Sequence, residues 1–461
     1  MTLIEQLRAI VGDANVLSGT DTAGWGEEWT GYYHWSPLAV VRPASTEEVS
    51  RVMQLASATG TAVVPVGGNT SLNGGTKAEG ALMLSLARMN RVREVNPATQ
   101  TVTAEAGVIL QTLRDLVDEN GLVFPLTFGA QGSAMVGGFL STNAGGSNVL
   151  RYGNTRMLCL GIEAVLADGR VMNTLSSLRK DNTGYDLRDL LIGAEGTLGI
   201  ITAAVFKLAP RPVAYATALM SMHSLGAALR LLNRIQAGTG GAVEAFEYMP
   251  HNYMLRLAEL RPDLASPIAP GAVNIFVEAA TTVPGEDPTE RLQTLLAGAM
   301  EAGDVADAVI ATSEQQRRRL WQMREAAAEI TFTDPLVIDT DVALPLDRLQ
   351  TFLDNMAARL GEIDPKAWTL VVAHLGDGNI HYSVYPGGPD EAVRAAIRAA
   401  IAEEAVALGG TFSAEHGVGL SKLPEMAAHK DPVALEVMRS IKRALDPQGI
   451  LNPGKVLPTG D

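Results

Sequence analysis

Leu3, Leu7, Ile10 and Val11 recur at helical spacing, so the chain is expected to open on a short amphipathic helix. Pro37–Pro43 is an apolar run with proline at both ends and predicts a strand. Thr46-Glu47-Glu48 has the character of a helix start, and that helix should run to Gly60. Ala62–Val64, Leu82–Leu86 and Thr101–Ala104 predict further strands, and Leu110–Glu119 a helix stopped by Asn120-Gly121. Ile162–Val171 predicts a hairpin turning at Asp168-Gly169. Ile200–Leu208 is a β-rich run, after which Pro210-Arg211-Pro212 breaks the chain and marks a domain boundary.

Beyond that boundary the texture changes. Strands are expected at 213–221, 242–248, 272–280, 305–311, 335–344, 368–374 and 380–385, with helices at 224–236, 288–302, 313–331, 346–361 and 389–408. This pattern predicts an α+β cap with one sheet and helices on one face. Asp431–Leu445 is a final helix, followed by turn residues. Four segments result: 1–36, a helix and an aromatic stretch (Trp25, Trp29, Tyr32, Tyr33, Trp35); 37–210, a first domain; 211–420, the cap; and 421–461, a C-terminal segment returning to the first domain.

The 461 residues exceed one ordinary core, and 47% hydrophobic content with 46 glycines suits a soluble α/β or α+β enzyme. A net charge of −15 argues against a nucleic-acid partner. Cys159 is the only cysteine, so neither a disulfide framework nor a cysteine-rich metal site is expected. No signal peptide or membrane-spanning apolar run is visible, which makes a cytoplasmic protein the expectation.

Two glycine-rich stretches carry the first candidate chemistry. Pro65–Gly75 leaves the Ala62–Val64 run, and Gly132–Gly146 holds five glycines with two serines, a threonine and an asparagine. Glycine admits a ligand close to main-chain N–H groups, and successive N–H groups form concave anion sites. Two such loops suggest a long phosphorylated cofactor gripped at two places. Neither a G-x-G-x-x-G between strand and helix nor a G-x-x-x-x-G-K-[ST] occurs, which disfavours an NAD Rossmann unit and a P-loop NTPase.

The second candidate is His374-Leu-Gly-Asp-Gly-Asn-Ile-His381, which joins two apolar strands through turn residues and predicts a hairpin. Imidazoles facing each other across an antiparallel pair can share one metal ion. Glu415 and His416 are adjacent, so they serve one site only at a strand end, which Gly417 permits. A His2Glu set suits Zn²⁺, Mn²⁺ or Fe²⁺. These residues alone leave metal chemistry and proton transfer both open, including a metal-dependent hydrolase without flavin. Arg324, beside Glu325 and near Arg317-Arg318-Arg319, reads on spacing alone as an ordinary helix charge.

Together Pro65–Gly75, Gly132–Gly146, Arg151-Tyr-Gly153, Lys180–Asp186, Gly193–Ile201, His374–His381, Glu415-His416-Gly417 and Asn452-Pro-Gly-Lys455 resemble the FAD-linked D-2-hydroxyacid dehydrogenases, over nearly the whole chain. The resemblance implies a vanillyl-alcohol-oxidase-type FAD-binding domain with an α+β substrate cap containing an antiparallel sheet. It implies that Val66, Gly67, Gly68, Asn69, Thr70 and Ser71 hold the FAD pyrophosphate. Gly132, Ser133, Gly137, Gly138, Ser141, Asn143 and Gly145 would line the rest of the cofactor, Glu195, Gly196 and Ile201 its adenine half, and Asn452 the flavin ring. Some relatives attach FAD through a histidine of the first loop; Asn69 and the absence of histidine there imply non-covalent FAD.

On the same resemblance His374, His381 and Glu415 would bind a divalent metal, Zn²⁺ first with Mn²⁺ or Fe²⁺ as alternatives. His416 would be the general base and Arg324 the clamp on a substrate carboxylate, with the Cα hydride passing to flavin N5. D-2-hydroxyglutarate and the smaller D-lactate or glycolate are the implied substrates. Members acting on D-2-hydroxyglutarate tend to carry Lys and Asn near the positions of Asp339 and Ser383. An electron-transfer flavoprotein or a quinone is the expected acceptor, and a homodimer the expected assembly.

Overall fold

Contacts divide the computed structural model, which describes residues 1–459, into two units. The first takes residues 1–145, 154–211 and those from 415 on; the second takes 146–153 and 212–414. The second unit therefore ends at Ala414, short of the expected residue 420, and it draws in the segment around Arg151.

The first unit is built on two sheets. Val16–Ser18, Ala39–Val41, Leu82–Ser85 and Val63–Val66 lie side by side in that order. The last three run parallel, and the crossover helix Thr46–Thr59 joins Ala39–Val41 to Val63–Val66. That helix is capped by Ser45, whose Oγ accepts the Glu48 N–H, and it stops at Gly60 in the left-handed conformation. One face of this sheet buries Leu7 and Val11 of the opening helix Leu3–Val11, together with Val49, Val52 and Met53. The other face meets Trp35, with Trp25 and Tyr33 partly buried beside it, so part of the aromatic stretch is core; Trp29 and Tyr32 are exposed. The second sheet is antiparallel: Val92–Asn96, Thr101–Glu105, Ile200–Lys207, Cys159–Val165 and Val171–Asn173. The C-terminal helix Pro432–Leu445 belongs to this unit, and Leu451 bridges Val63 in parallel.

The second unit holds one antiparallel sheet in the order Val305–Ile310, Ala214–Met222, Val273–Thr281, Val243–Pro250, Trp368–His374, Asn379–Tyr385, Ile338–Ala343. The seven expected strands are all present. The expectation of helices on one face is corrected: both faces are covered. Leu225–Thr239, Pro288–Glu301, Leu349–Ile363 and Glu391–Ala407 supply apolar side chains to one core. His251–Leu260, Glu314–Glu325 and Ala327–Thr331 cover the opposite face through Tyr253, Leu257, Leu320, Met323 and Ile330. The sequence pattern did not indicate His251–Leu260, and the expected helix 313–331 is divided at Ala326. Among the described residues no helix is long and apolar enough to cross a membrane.

Candidate active site

The two glycine loops meet in the first unit. A Cβ on Gly68 would lie 2.0 Å from the Ser133 carbonyl oxygen, and one on Gly67 would touch Met135 and the Gly138 main chain. At Gly68 only glycine allows this approach. The second loop then enters the short helix Val136–Ser141, where the Ser141 hydroxyl donates back to the Gly137 carbonyl at 2.6 Å. The Glu195 N–H donates to the Ser141 carbonyl at 2.8 Å, and Asn143 Oδ1 accepts the Arg156 N–H. Gly196, at φ +73, packs on Pro65. Asn69 is held from both ends of its amide, by Thr76 on Oδ1 and by the Glu27 carbonyl on Nδ2. The Ser71 hydroxyl donates to Asn73. Ile201 is buried in the strand Ile200–Lys207 opposite Ala164, as a packing residue of the sheet.

Backbone strain gathers at the same place. Asn69, Asn143, Glu195 and Asn452 are four of the six non-glycine residues at positive φ among the described residues. Such conformations cost free energy and persist where the surroundings impose them, commonly at ligand sites. Asn452 Nδ2 donates to the Glu195 and Gly75 carbonyls, while its Oδ1 is buried without a partner. A buried acceptor of that kind suits a ligand N–H, such as the imide of a flavin, and the paired glycine loops suit a diphosphate. The residues thus fit FAD.

The loop carrying His416 is tied to this cradle. Glu195, expected near the adenine half, turns its carboxylate on the main-chain N–H groups of Val418 (2.6 Å) and Gly419 (2.9 Å). Asn73 Nδ2 donates to the His416 carbonyl at 2.7 Å. Gly417 is at φ +79 and a Cβ there would strike Glu195, so the turn after His416 requires glycine. Glu28, buried beneath the first loop, accepts the Gly74 N–H at 2.6 Å; burial raises its pKa despite that bond.

In the second unit His374 and His381 lie on the expected hairpin. His374 faces Asn379 and His381 faces Val372, so the two imidazoles are diagonal neighbours on one face, not the directly facing pair the turn suggested. Their ring centroids are 5.4 Å apart, edge to face. Asp341 pairs with His381 in the next strand, and its carboxylate accepts the N–H of Ala414, the residue before Glu415. One ligand atom from each of His374, His381 and Glu415 lies within 4.8 Å of the others, a donor set that fits a divalent ion. His416 Nε2 is 3.9 Å from the Glu415 carboxylate.

Arg324 is buried rather than an ordinary solvated helix charge. Its Nε donates to Glu247 at 2.6 Å, and its terminal nitrogen rests 3.4 Å from both ring nitrogens of His374. His374 Nδ1 is itself 2.9 Å from the Glu247 carboxylate. Burial pushes the Glu247 pKa up, but His374 and Arg324 more than offset this, and the net shift is downward. Sequence reasoning missed Glu247. It also missed Glu244, which joins Arg151 Nη1 (2.9 Å) and the Tyr152 hydroxyl (2.6 Å) and ties the segment 146–153 to this unit. The only signal was two acids in an otherwise apolar strand, Val243–Pro250. Asp339 and Ser383, opposite each other on the face of His381, are hydrogen-bonded at 2.7 Å.

Comparison with known proteins breaks the chain near residue 211 as the contacts do, but its second match runs on into residues of the first unit. Residues 37–175 match an FAD binding domain, and residues 211–456 match the C-terminal domain of FAD linked oxidases. The chain is 38% identical to a mitochondrial D-2-hydroxyglutarate dehydrogenase of Bos taurus over 94% of its length and 79% of that protein's. It is 34% identical to a D-2-hydroxyglutarate dehydrogenase of Xanthomonas citri pv. viticola, over 96% of this chain and 93% of the relative. Among solved structures, p-cresol methylhydroxylase with substrate bound superposes at a TM-score of 0.76 with 16% identity, over 98% of this chain and 96% of that one, which shows a shared fold.

Proposed function

The chain belongs to the FAD-linked oxidases, an oxidoreductase family, and from that premise we propose that it oxidises a D-2-hydroxyacid to the 2-oxoacid. The observation that carries this reading is the convergence of His374, His381 and Glu415, because a 2-hydroxyacid offers a carboxylate and a neighbouring hydroxyl as a two-oxygen chelate. Bound to the glycine loops, FAD supplies the two-electron acceptor. A divalent ion held by His374, His381 and Glu415 would supply a Lewis acid toward the substrate oxygens. His416 takes the hydroxyl proton; Asn73 holds its carbonyl, and Glu195 holds the loop that follows through Val418 and Gly419. Arg324, oriented by Glu247, directs cationic charge at the substrate carboxylate. A flavin-free metal hydrolase would leave the FAD binding domain without a purpose.

The relatives' names support D-2-hydroxyglutarate as substrate. The Asp339–Ser383 pair favours a second reading, a D-2-hydroxyacid with no second carboxylate, such as D-lactate or glycolate, because an acid on the His381 face repels a distal anion. The test is anaerobic bleaching of the flavin band by D-2-hydroxyglutarate, D-lactate, glycolate and the L-enantiomers. D-selective bleaching is expected. The reading falls if no D-2-hydroxyacid reduces the flavin, or if the purified protein is colourless and takes up no FAD.

A further inference from the structure

Glu247 has no solvent exposure, and its two partners are both candidate site residues. Strand pairing sets it directly opposite His374, and Arg324 reaches it from the end of the helix Glu314–Glu325. That helix end is pinned in turn by the Tyr253 hydroxyl, which donates to the Met323 carbonyl at 2.8 Å. Withdrawing a carboxylate from water costs several kcal/mol, so a lone one would not persist here. With its acceptor sites turned to His374 Nδ1 and Arg324 Nε, Glu247 selects one imidazole tautomer. A carboxylate only accepts, so this contact favours the tautomer with the proton on Nδ1; Nε2, 3.4 Å from the Arg324 terminal nitrogen, is then the lone-pair nitrogen offered to a metal. The same carboxylate sets the plane of the guanidinium through Nε.

We propose that Glu247 is the positioning residue of the substrate site, aiming Nε2 of His374 at the metal and the guanidinium of Arg324 at the substrate carboxylate. The proposal rests on the reading of His374 as a metal ligand. A carboxylate hydrogen-bonded to the far nitrogen of a ligand histidine typically accounts for about 10–100-fold in metal affinity. A carboxylate that only neutralises a buried arginine would leave metal affinity alone.

The experiment measures Zn²⁺ affinity by chelator competition on FAD-loaded protein for wild type, Glu247→Gln and His374→Ala, with FAD content read from absorbance. Glu247→Gln should retain FAD and bind Zn²⁺ about 10–100-fold more weakly, with a raised KM for the D-2-hydroxyacid that exceeds any fall in kcat. Should Glu247→Gln not fold, the double variant Glu247→Gln/Arg324→Met removes both buried charges and should show the same loss of Zn²⁺ affinity. Zn²⁺ affinity within about twofold of wild type in a folded, flavin-loaded variant overturns the role of Glu247 and leaves the metal reading standing. Wild type binding Zn²⁺ no better than His374→Ala overturns the metal reading, and the role of Glu247 with it.

Discussion

Glu195→Gln tests whether the cofactor cradle also holds the His416 loop. The carboxylate accepts two main-chain N–H groups, Val418 at 2.6 Å and Gly419 at 2.9 Å, from a buried position. An amide has one oxygen, so one bond survives and the other N–H meets an NH₂ donor. Losing a hydrogen bond to a charged acceptor and leaving a buried donor unpaired costs about 2 kcal/mol. The backbone geometry of Glu195 should survive, because its N–H remains on Ser141 and its carbonyl on Asn452. The loss should therefore stay local. Hydrogen exchange at the Val418 and Gly419 amides should quicken about 30-fold, the factor equivalent to 2 kcal/mol. FAD content should hold while substrate-driven flavin reduction slows. Unchanged exchange at those amides, in a variant shown by mass to carry glutamine, would refute the anchoring role.

Three further outcomes are expected. His416→Ala should keep FAD and metal yet reduce flavin about 10²–10⁴-fold more slowly, read by stopped-flow absorbance; a metal-free variant would make His416 a ligand instead. FAD should leave the protein on acid or heat denaturation, since Asn69 spends its amide on Thr76 and Glu27 and has no group for a covalent link; yellow precipitate would contradict this. Burial and Lys77 lower the Lys455 pKa to about 8 from an unfolded value of about 10.5, so the unfolded chain holds this proton through the window in which the folded protein loses it. This group should therefore add stability as pH rises from about 8 to 10.5, by up to roughly 3 kcal/mol. Denaturant unfolding of Lys455→Met across that window should show the rise flattened.

The sequence was most legible where chemistry demands particular residue types. Both glycine stretches and the histidine hairpin were visible because a close backbone approach needs glycine and a tight turn needs Gly-Asp-Gly-Asn. The strands of the second unit were visible as apolar runs, but their two-sided burial was not. Val273–Thr281 is buried at all nine positions, so no polar alternation exists to assign a solvent face, and the strand pattern carries no layer count. Register was likewise hidden: the hairpin was evident, yet whether His381 faces His374 or sits diagonal to it depends on how many residues the turn consumes. Glu247 was illegible for another reason. An acid in a strand ordinarily reads as solvent-facing, and the partners that hold this one lie 77 and 127 positions away.

The discontinuity of the first unit along the chain also sets a timetable. Its parallel sheet is finished by Leu451 against Val63, and Asn452 and the His416 loop arrive only after Ala414, whereas the second unit between 212 and 414 is a nearly continuous stretch. At ribosomal speeds of about 5–20 residues per second, those intervening two hundred residues take roughly 10–40 s to emerge. During that interval the N-terminal strands must wait incomplete, exposing apolar edges, while the inserted unit already has nearly everything it needs to fold. The glycine loops are made early and Asn452 late, so the cradle that suits FAD is complete only once synthesis reaches the last ten residues.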